Sequence, residues 1–138
     1  MLKEDKLSHY VETYNIEWAD SLPENCPPED VLIPEEEEFY RLLLNEDKVV
    51  EEDWKSYAEL YPNRNYGPKI IFASGLSVNK NNNFSQLTRL PGMKRYKGLA
   101  MIKLNPTDGV LKKTFGEGHY TWWRTTMFDA NKAEIIKK

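Results

Sequence analysis

Val110-Leu111-Lys112-Lys113-Thr114-Phe115-Gly116-Glu117-Gly118-His119-Tyr120-Thr121-Trp122-Trp123-Arg124 reads as strand, tight connection, strand. Branched and aromatic residues suit both runs to a pleated surface. Gly116 and Gly118 supply the permissive backbone that a close return needs. Just upstream, residues 96–104 read as another strand, and Pro106-Thr107-Asp108-Gly109 sets Pro and Gly where a turn prefers them. The C-terminal third is therefore expected to be a meander of three antiparallel strands, 96–104, 110–115 and 119–126. Residues 130–138 follow as a short basic amphipathic tail, a helix being one form it can take, anchored by Ile135 and Ile136.

Working outward, residues 69–78 read as a buried strand that turns near Gly75, and Asn79-Lys80-Asn81-Asn82-Asn83 as a loop. One of those asparagines can cap a short helix over 84–90, which Pro91-Gly92 ends. Val50, Trp54, Tyr57 and Tyr61 recur at helical spacing, with Glu51, Glu52 and Asp53 in the first turn, where the helix dipole favours negative charge. This predicts a helix over about 50–61, ended by Pro62, whose aromatic stripe is a core face. Phe39-Tyr40-Arg41-Leu42-Leu43-Leu44 is short enough to favour a buried strand, although periodicity alone leaves a helix open. The preceding Glu35 to Glu38 are a solvated flank, since alternate residues of a strand face opposite ways and cannot converge on one ion. Pro23, Pro27, Pro28 and Pro34 make residues 1–34 an extended or loosely helical lead-in, docked by Tyr10, Tyr14, Ile16 and Trp18. The fold expected is a single α+β domain, 1–138, with a body over 35–138. It has a largely antiparallel sheet of about five strands with two or three helices packed on one face. A partly open β-barrel with flanking helices is the alternative.

Composition excludes several classes. A chain of 138 residues, 40% hydrophobic and 12% aromatic, can bury a core without disulfides or metal. Cys26 is the only cysteine, so no internal disulfide forms and a secreted disulfide scaffold is not indicated. The N-terminus lacks an apolar signal core, and no apolar run approaches the ~20 residues of a membrane span, so a cytoplasmic location and no membrane partner are expected. Two histidines and one cysteine are too few for a four-ligand zinc site. No acidic calcium loop is present, and no metal or cofactor is assigned. The glycine spacing of 116–118 is also too short for a phosphate-binding fingerprint.

Charge is the strongest functional clue. Residues 1–65 hold 6 Lys/Arg against 18 Asp/Glu, and residues 66–138 hold 13 against 4, although the whole chain carries only −3. Either the halves face each other, or a basic face is offered to an anion. The basic segment Arg89 to Lys97, with Lys94, Arg95 and Lys97 around a Pro-Gly bend, can follow a phosphate backbone. On the 119–126 strand, Tyr120, Trp122 and Arg124 share one face and offer stacking planes plus a cation; His119, Thr121, Trp123 and Thr125 share the other. The leading expectation is thus a non-catalytic module that binds nucleic acid or an acidic protein through a basic, aromatic C-terminal sheet.

Two further readings stand beside it. The chain can be a small enzyme acting on a nucleotide, NAD or nucleic acid, with His119 as acid/base and Arg41 or Arg124 as anion clamp. Arg41 on one strand, Ser77 on another and a histidine beyond resemble, in residue type and chain order alone, the NAD-gripping arrangement of ADP-ribosyl-transfer folds. That arrangement's catalytic glutamate has no counterpart on a final strand, Glu117 lying in a turn, and the family is not claimed. Alternatively, the acidic half is presented to a protein partner, as in an inhibitor or assembly subunit.

Overall fold

Strand-forming segments pair far more widely than the sequence pattern suggests, in a computed structural model that describes residues 2–114 and 116–136. The strands are β1 (Lys3–Lys6), β2 (Asp30–Ile33), β3 (Glu37–Leu43), β4 (Leu76–Asn79), β5 (Gly98–Leu104), β6 (Gly109–Lys113), β7 (His119–Arg124) and β8 (Glu134–Ile135). They form one sheet in the order β1-β2-β6-β7-β4-β3-β5-β8, every pairing antiparallel, curled into a half-barrel. Helix is confined to α1 (Leu7–Tyr14) and three single turns, α2 (Tyr57–Leu60), α3 (Ile70–Ala73) and α4 (Phe84–Leu87), with short 3-10 segments between. Among the described residues no helix is long and apolar enough to cross a membrane.

The period of two along β7 explains how the sheet is buried. Trp122 faces Leu111 and Leu76 across its two ladders and joins a core with Phe39, Val78, Ile102 and Leu104. Phe128 closes over it edge-on, its ring 4.7 Å from Trp122 and 5.3 Å from Trp54. Trp123 points the other way, into a second core with Tyr10, Val31, Ile33 and Val110. That second core is roofed by α1, by Ile16, Trp18 and Leu22 of the lead-in, and by Phe72 of α3. Both tryptophans are buried, at 0% and 1% exposure, because this part of the sheet is covered on both faces.

The expected five-stranded sheet with helices on one face is therefore corrected to an eight-stranded half-barrel covered on both faces, closer to the alternative barrel reading. The extra strands come from segments without an apolar alternation. β1 is Lys-Glu-Asp-Lys at the sheet edge, held by register with β2. β2 lies between Pro28 and Pro34, so the prolines flank a strand and do not interrupt one. β8 comes from the expected amphipathic tail and pairs only through Ala100–Ile135 and Met101–Glu134; Lys137 and Lys138 lie outside the described residues, as does Phe115.

Three local expectations also change. The stripe over 50–61 is broken in two: a 3-10 turn, Glu51–Trp54, then extended Lys55, then α2. Ser56 starts α2 by accepting from the Glu59 amide, while Glu59 reaches back to the Ser56 amide, a reciprocal cap that sets a new helix start. The strand expected over 69–78 begins as helix, a 3-10 turn opened at Pro68 and then α3, and only Leu76–Asn79 is strand. Finally, Pro106-Thr107-Asp108-Gly109 does not join neighbours. β5 pairs with β3 and β8, β6 with β2 and β7, so the segment carries the chain across the sheet and only β6–β7 remains of the meander. Side chains hold this crossing: Tyr10 Oη donates to Pro106 O (2.7 Å) and Trp122 Nε1 to Asp108 O (3.1 Å). The strand expected at 39–44 appears as β3, and the helix expected over 84–90 is only the single turn α4, capped by Asn83 on the Gln86 amide and ended at Thr88, short of Pro91.

Gly109 sits at φ 139°, and a Cβ there would meet Trp123 O and Trp122 Nε1. Gly109→Ala is expected to lower stability by about 2 kcal/mol or more, from backbone strain plus overpacking. Gly92→Ala, into open space, should stay within about 0.5 kcal/mol. Urea midpoints of the two variants check the pair.

Candidate functional site

Pairing in the sheet is narrow between β3 and β4. These strands share one register pair, Tyr40–Asn79, beyond which β3 runs on to Leu43 beside β5 and β4 runs back to Leu76 beside β7. Between the diverging strands lies a cavity of about 370 Å³, within the range of about 300–1,000 Å³ common for small-molecule sites. Arg41, Leu42 and Leu44 wall one side; Gly75, Leu76 and Ser77 wall the other. Tyr57 and Leu60 of α2, Phe72 and Ala73 of α3, and Tyr96 complete an apolar, tyrosine-rich lining.

Arg41 spans the gap. Its Nε donates to Asp53 O at 2.7 Å and its Nη1 to Ser77 O at 2.8 Å, so one guanidinium ties the 3-10 turn to β4 where the ladder is missing. Nη2 donates to no group among the described residues. Burial pulls the Arg41 pKa below its ordinary value, Tyr96 and Asp53 opposing that effect. Asp53, the nearest carboxylate, is committed to the backbone: it accepts from Leu44 N (2.9 Å) and Val50 N (2.8 Å).

The tyrosines form a connected wall. Tyr57 and Tyr61 stack with centroids 6.3 Å apart, and the hydroxyls of Tyr57 and Tyr96 meet at 3.2 Å. Tyr66 Oη donates to the carbonyls of Tyr57 and Tyr61. Arg95 lies over the rings of Tyr57 (5.4 Å) and Tyr96 (4.9 Å) and donates to Tyr96 Oη at 2.9 Å; this hydrogen bond raises its pKa. Lys55, Lys69 and Glu52 stand at the lining as well.

The sequence-chosen residues fall into three places. Arg41, Ser77 and Arg95 come together at this cavity. Lys94 and Lys97 are exposed on the same loop as Arg95, Lys97 Nζ donating to Lys94 O, and neither meets a carboxylate among the described residues. The residues of β7 lie elsewhere. Trp122 is in the core and closed to a ligand, Tyr120 packs edge-on against Phe39 at 5.4 Å, and Arg124 pairs with Asp20 at 3.3 Å. His119 is half-buried, with Nδ1 3.0 Å from both Thr114 Oγ1 and Thr114 O, and does not line the cavity; burial lowers its pKa. Tyr57, Tyr61, Tyr66, Tyr96, Lys55 and Lys69 are site residues that the sequence reading did not choose. The aromatic spacing was a signal for the first two, although only Trp54 of that stripe enters the core and Tyr57 faces the cavity. Among the described residues no group of three or more His, Cys, Asp or Glu could hold a metal ion.

Burial, reinforced by the hydrogen bond to Tyr96, pushes the Tyr57 phenol up to about 12, against an ordinary value near 10. A raised folded pKa means that stability is complete below the unfolded pKa and falls as pH rises from about 10 through about 12, where the unfolded chain loses the proton first. Tyr57→Phe should reduce that alkaline loss, read from denaturation midpoints between pH 9 and about 12; an unchanged slope would place Tyr57 in water.

Comparison with protein-family models, with curated proteins and with solved structures finds no match to this chain.

Proposed function

We propose that this chain is a binding module for a small anionic ligand carrying a flat ring, held in the cleft between β3 and β4. The observation that carries the reading is Arg41: a guanidinium at the lining of a tyrosine-rich cavity, with no ion-pair partner among the described residues and with Nη2 left without a hydrogen bond to them. A desolvated cation without a carboxylate is costly unless something anionic completes it. Arg95 supplies a second cation at the same cavity, already held against two rings. Rings and guanidinium groups together suit a planar anion.

The test is calorimetric titration of ring-bearing anions, a naphthalenesulfonate and a nucleotide among them, each against its neutral parent. The anions should bind more tightly, with affinity that falls as salt rises. Arg95→Ala should weaken them about tenfold, or ~1.4 kcal/mol, with little change in folding stability because Arg95 is exposed. Equal binding of anions and neutral parents, or unchanged affinity in Arg95→Ala, would overturn the reading.

A second reading, that a nucleic acid or other polyanion extends from this cleft, is favoured by Lys94 and Lys97. Both are exposed beside Arg95 and uncommitted to any carboxylate among the described residues. Lys94→Ala and Lys97→Ala should each then flatten the salt dependence of oligonucleotide binding by about one unit of slope. Unaltered slopes would confine binding to the cleft.

A further inference from the structure

The balance of charge around the cleft narrows the ligand further, on the reading that the cleft binds an anion at all. Four cations, Arg41, Lys55, Lys69 and Arg95, line it, against two carboxylates, Glu52 and Asp53. Two positive charges are thus uncompensated at the cavity, in a chain whose net charge is −3. Asp53 cannot swing over to neutralise them without releasing the amides of Leu44 and Val50. The Lys55 and Lys69 ammonium groups form no ion pair with the described residues, and their backbone amides donate to Glu52 O and Tyr66 O. A carboxylate or a phosphodiester brings a single negative charge. A phosphomonoester brings about −1.5 to −2 at pH 7, together with three acceptor oxygens, which matches both the charge and the open donors.

The walls define the other end of the ligand. The hydroxyls of Tyr57, Tyr66 and Tyr96 are already engaged with one another, with Arg95 or with backbone carbonyls. The wall therefore offers a ligand ring carbon more than free hydrogen-bonding groups, with Arg95 lying over the Tyr57 and Tyr96 rings at the same cavity. Ring faces hold a base by stacking and discriminate little among bases. We infer that the cleft takes a nucleoside monophosphate group, its monoester phosphate on Arg41 Nη2 between the lysines and its base against the tyrosine wall.

The experiment uses the full chain and calorimetry with three probes sharing one base: AMP, adenosine, and 3′,5′-cyclic AMP, whose phosphodiester is a monoanion. At pH 7, AMP should bind at least about tenfold more tightly than either comparator. Its advantage over cyclic AMP should shrink about tenfold by pH 5, because the second phosphate ionisation lies near 6. No histidine lines the cleft to add a step of its own there. Lys55→Ala with Lys69→Ala should weaken AMP more than cyclic AMP, so that most of the AMP advantage is lost. UMP should bind within about tenfold of AMP.

Cyclic AMP binding as tightly as AMP, or a ratio that does not move with pH, overturns the inference. Salt-sensitive binding of a naphthalenesulfonate without binding of AMP overturns it too, yet leaves the broader anion reading standing. If no anion binds, both fall. Oligonucleotides distinguish the source of the group. A 5′-phosphorylated strand that binds more tightly than AMP and loses this with a 5′-hydroxyl assigns the site to a strand end. AMP binding as tightly as the strand assigns it to a free nucleotide. Either outcome sustains the shared chemistry.

Discussion

Strands that stop pairing leave carbonyls that still need donors, and at the β3–β4 junction the donor is Arg41. A buried polar group left unmade costs about 1–3 kcal/mol, so the divergence of two central strands survives only because one side chain bridges it. The same guanidinium is one of four cations at the cavity that the divergence opens. Fold and site therefore share a residue. The Asp53 carboxylate works in parallel, binding the amides of Leu44 and Val50 so that the chain leaving β3 turns back over the cleft.

The uneven charge of the two halves is resolved in two ways at once. Lys80 of the basic half pairs with Glu37 and lies over the Phe39 ring at 4.2 Å, and Arg124 pairs with Asp20. Exposed pairs contribute little, but the Arg124–Asp20 pair is largely sheltered, with side-chain exposures of 21% and 13%, and holds the lead-in against β7. The basic loop at 94–97 is not consumed this way among the described residues. Lys94, Arg95 and Lys97 gather on the loop beside the tyrosines, away from Glu35 to Glu38. Opposite charges meet at the seams of the fold, and the surplus collects at the cleft.

What the sequence made legible was local alternation. It located β3, β5, β6 and β7, placed Trp122 and Trp123 on opposite faces of one strand, and expected an asparagine cap, which the structure assigns to Asn83. It missed both of those faces being buried, because burial on the second face comes from a lead-in whose prolines mask β2 and whose first strand has no apolar pattern. It joined Trp54 and Tyr57 into one helix because spacing cannot reveal the extended Lys55 that separates them. At the site, Arg41 stood out as a charge within an apolar strand, and Ser77 as its neighbour by residue type. The cavity between them was invisible, since a loss of pairing between strands 36 residues apart in sequence leaves no trace in the periodicity of either.

A half-barrel that does not close keeps two free edges, and free edges recruit other strands. Here both are poor templates. The β1 edge is Lys3-Glu4-Asp5-Lys6, charged at every position, so a flat apolar strand finds nothing to zip against. The opposite edge is β8, two residues long, too short to seed a ladder. The price of an open sheet in aggregation is thereby kept low by composition at one rim and brevity at the other.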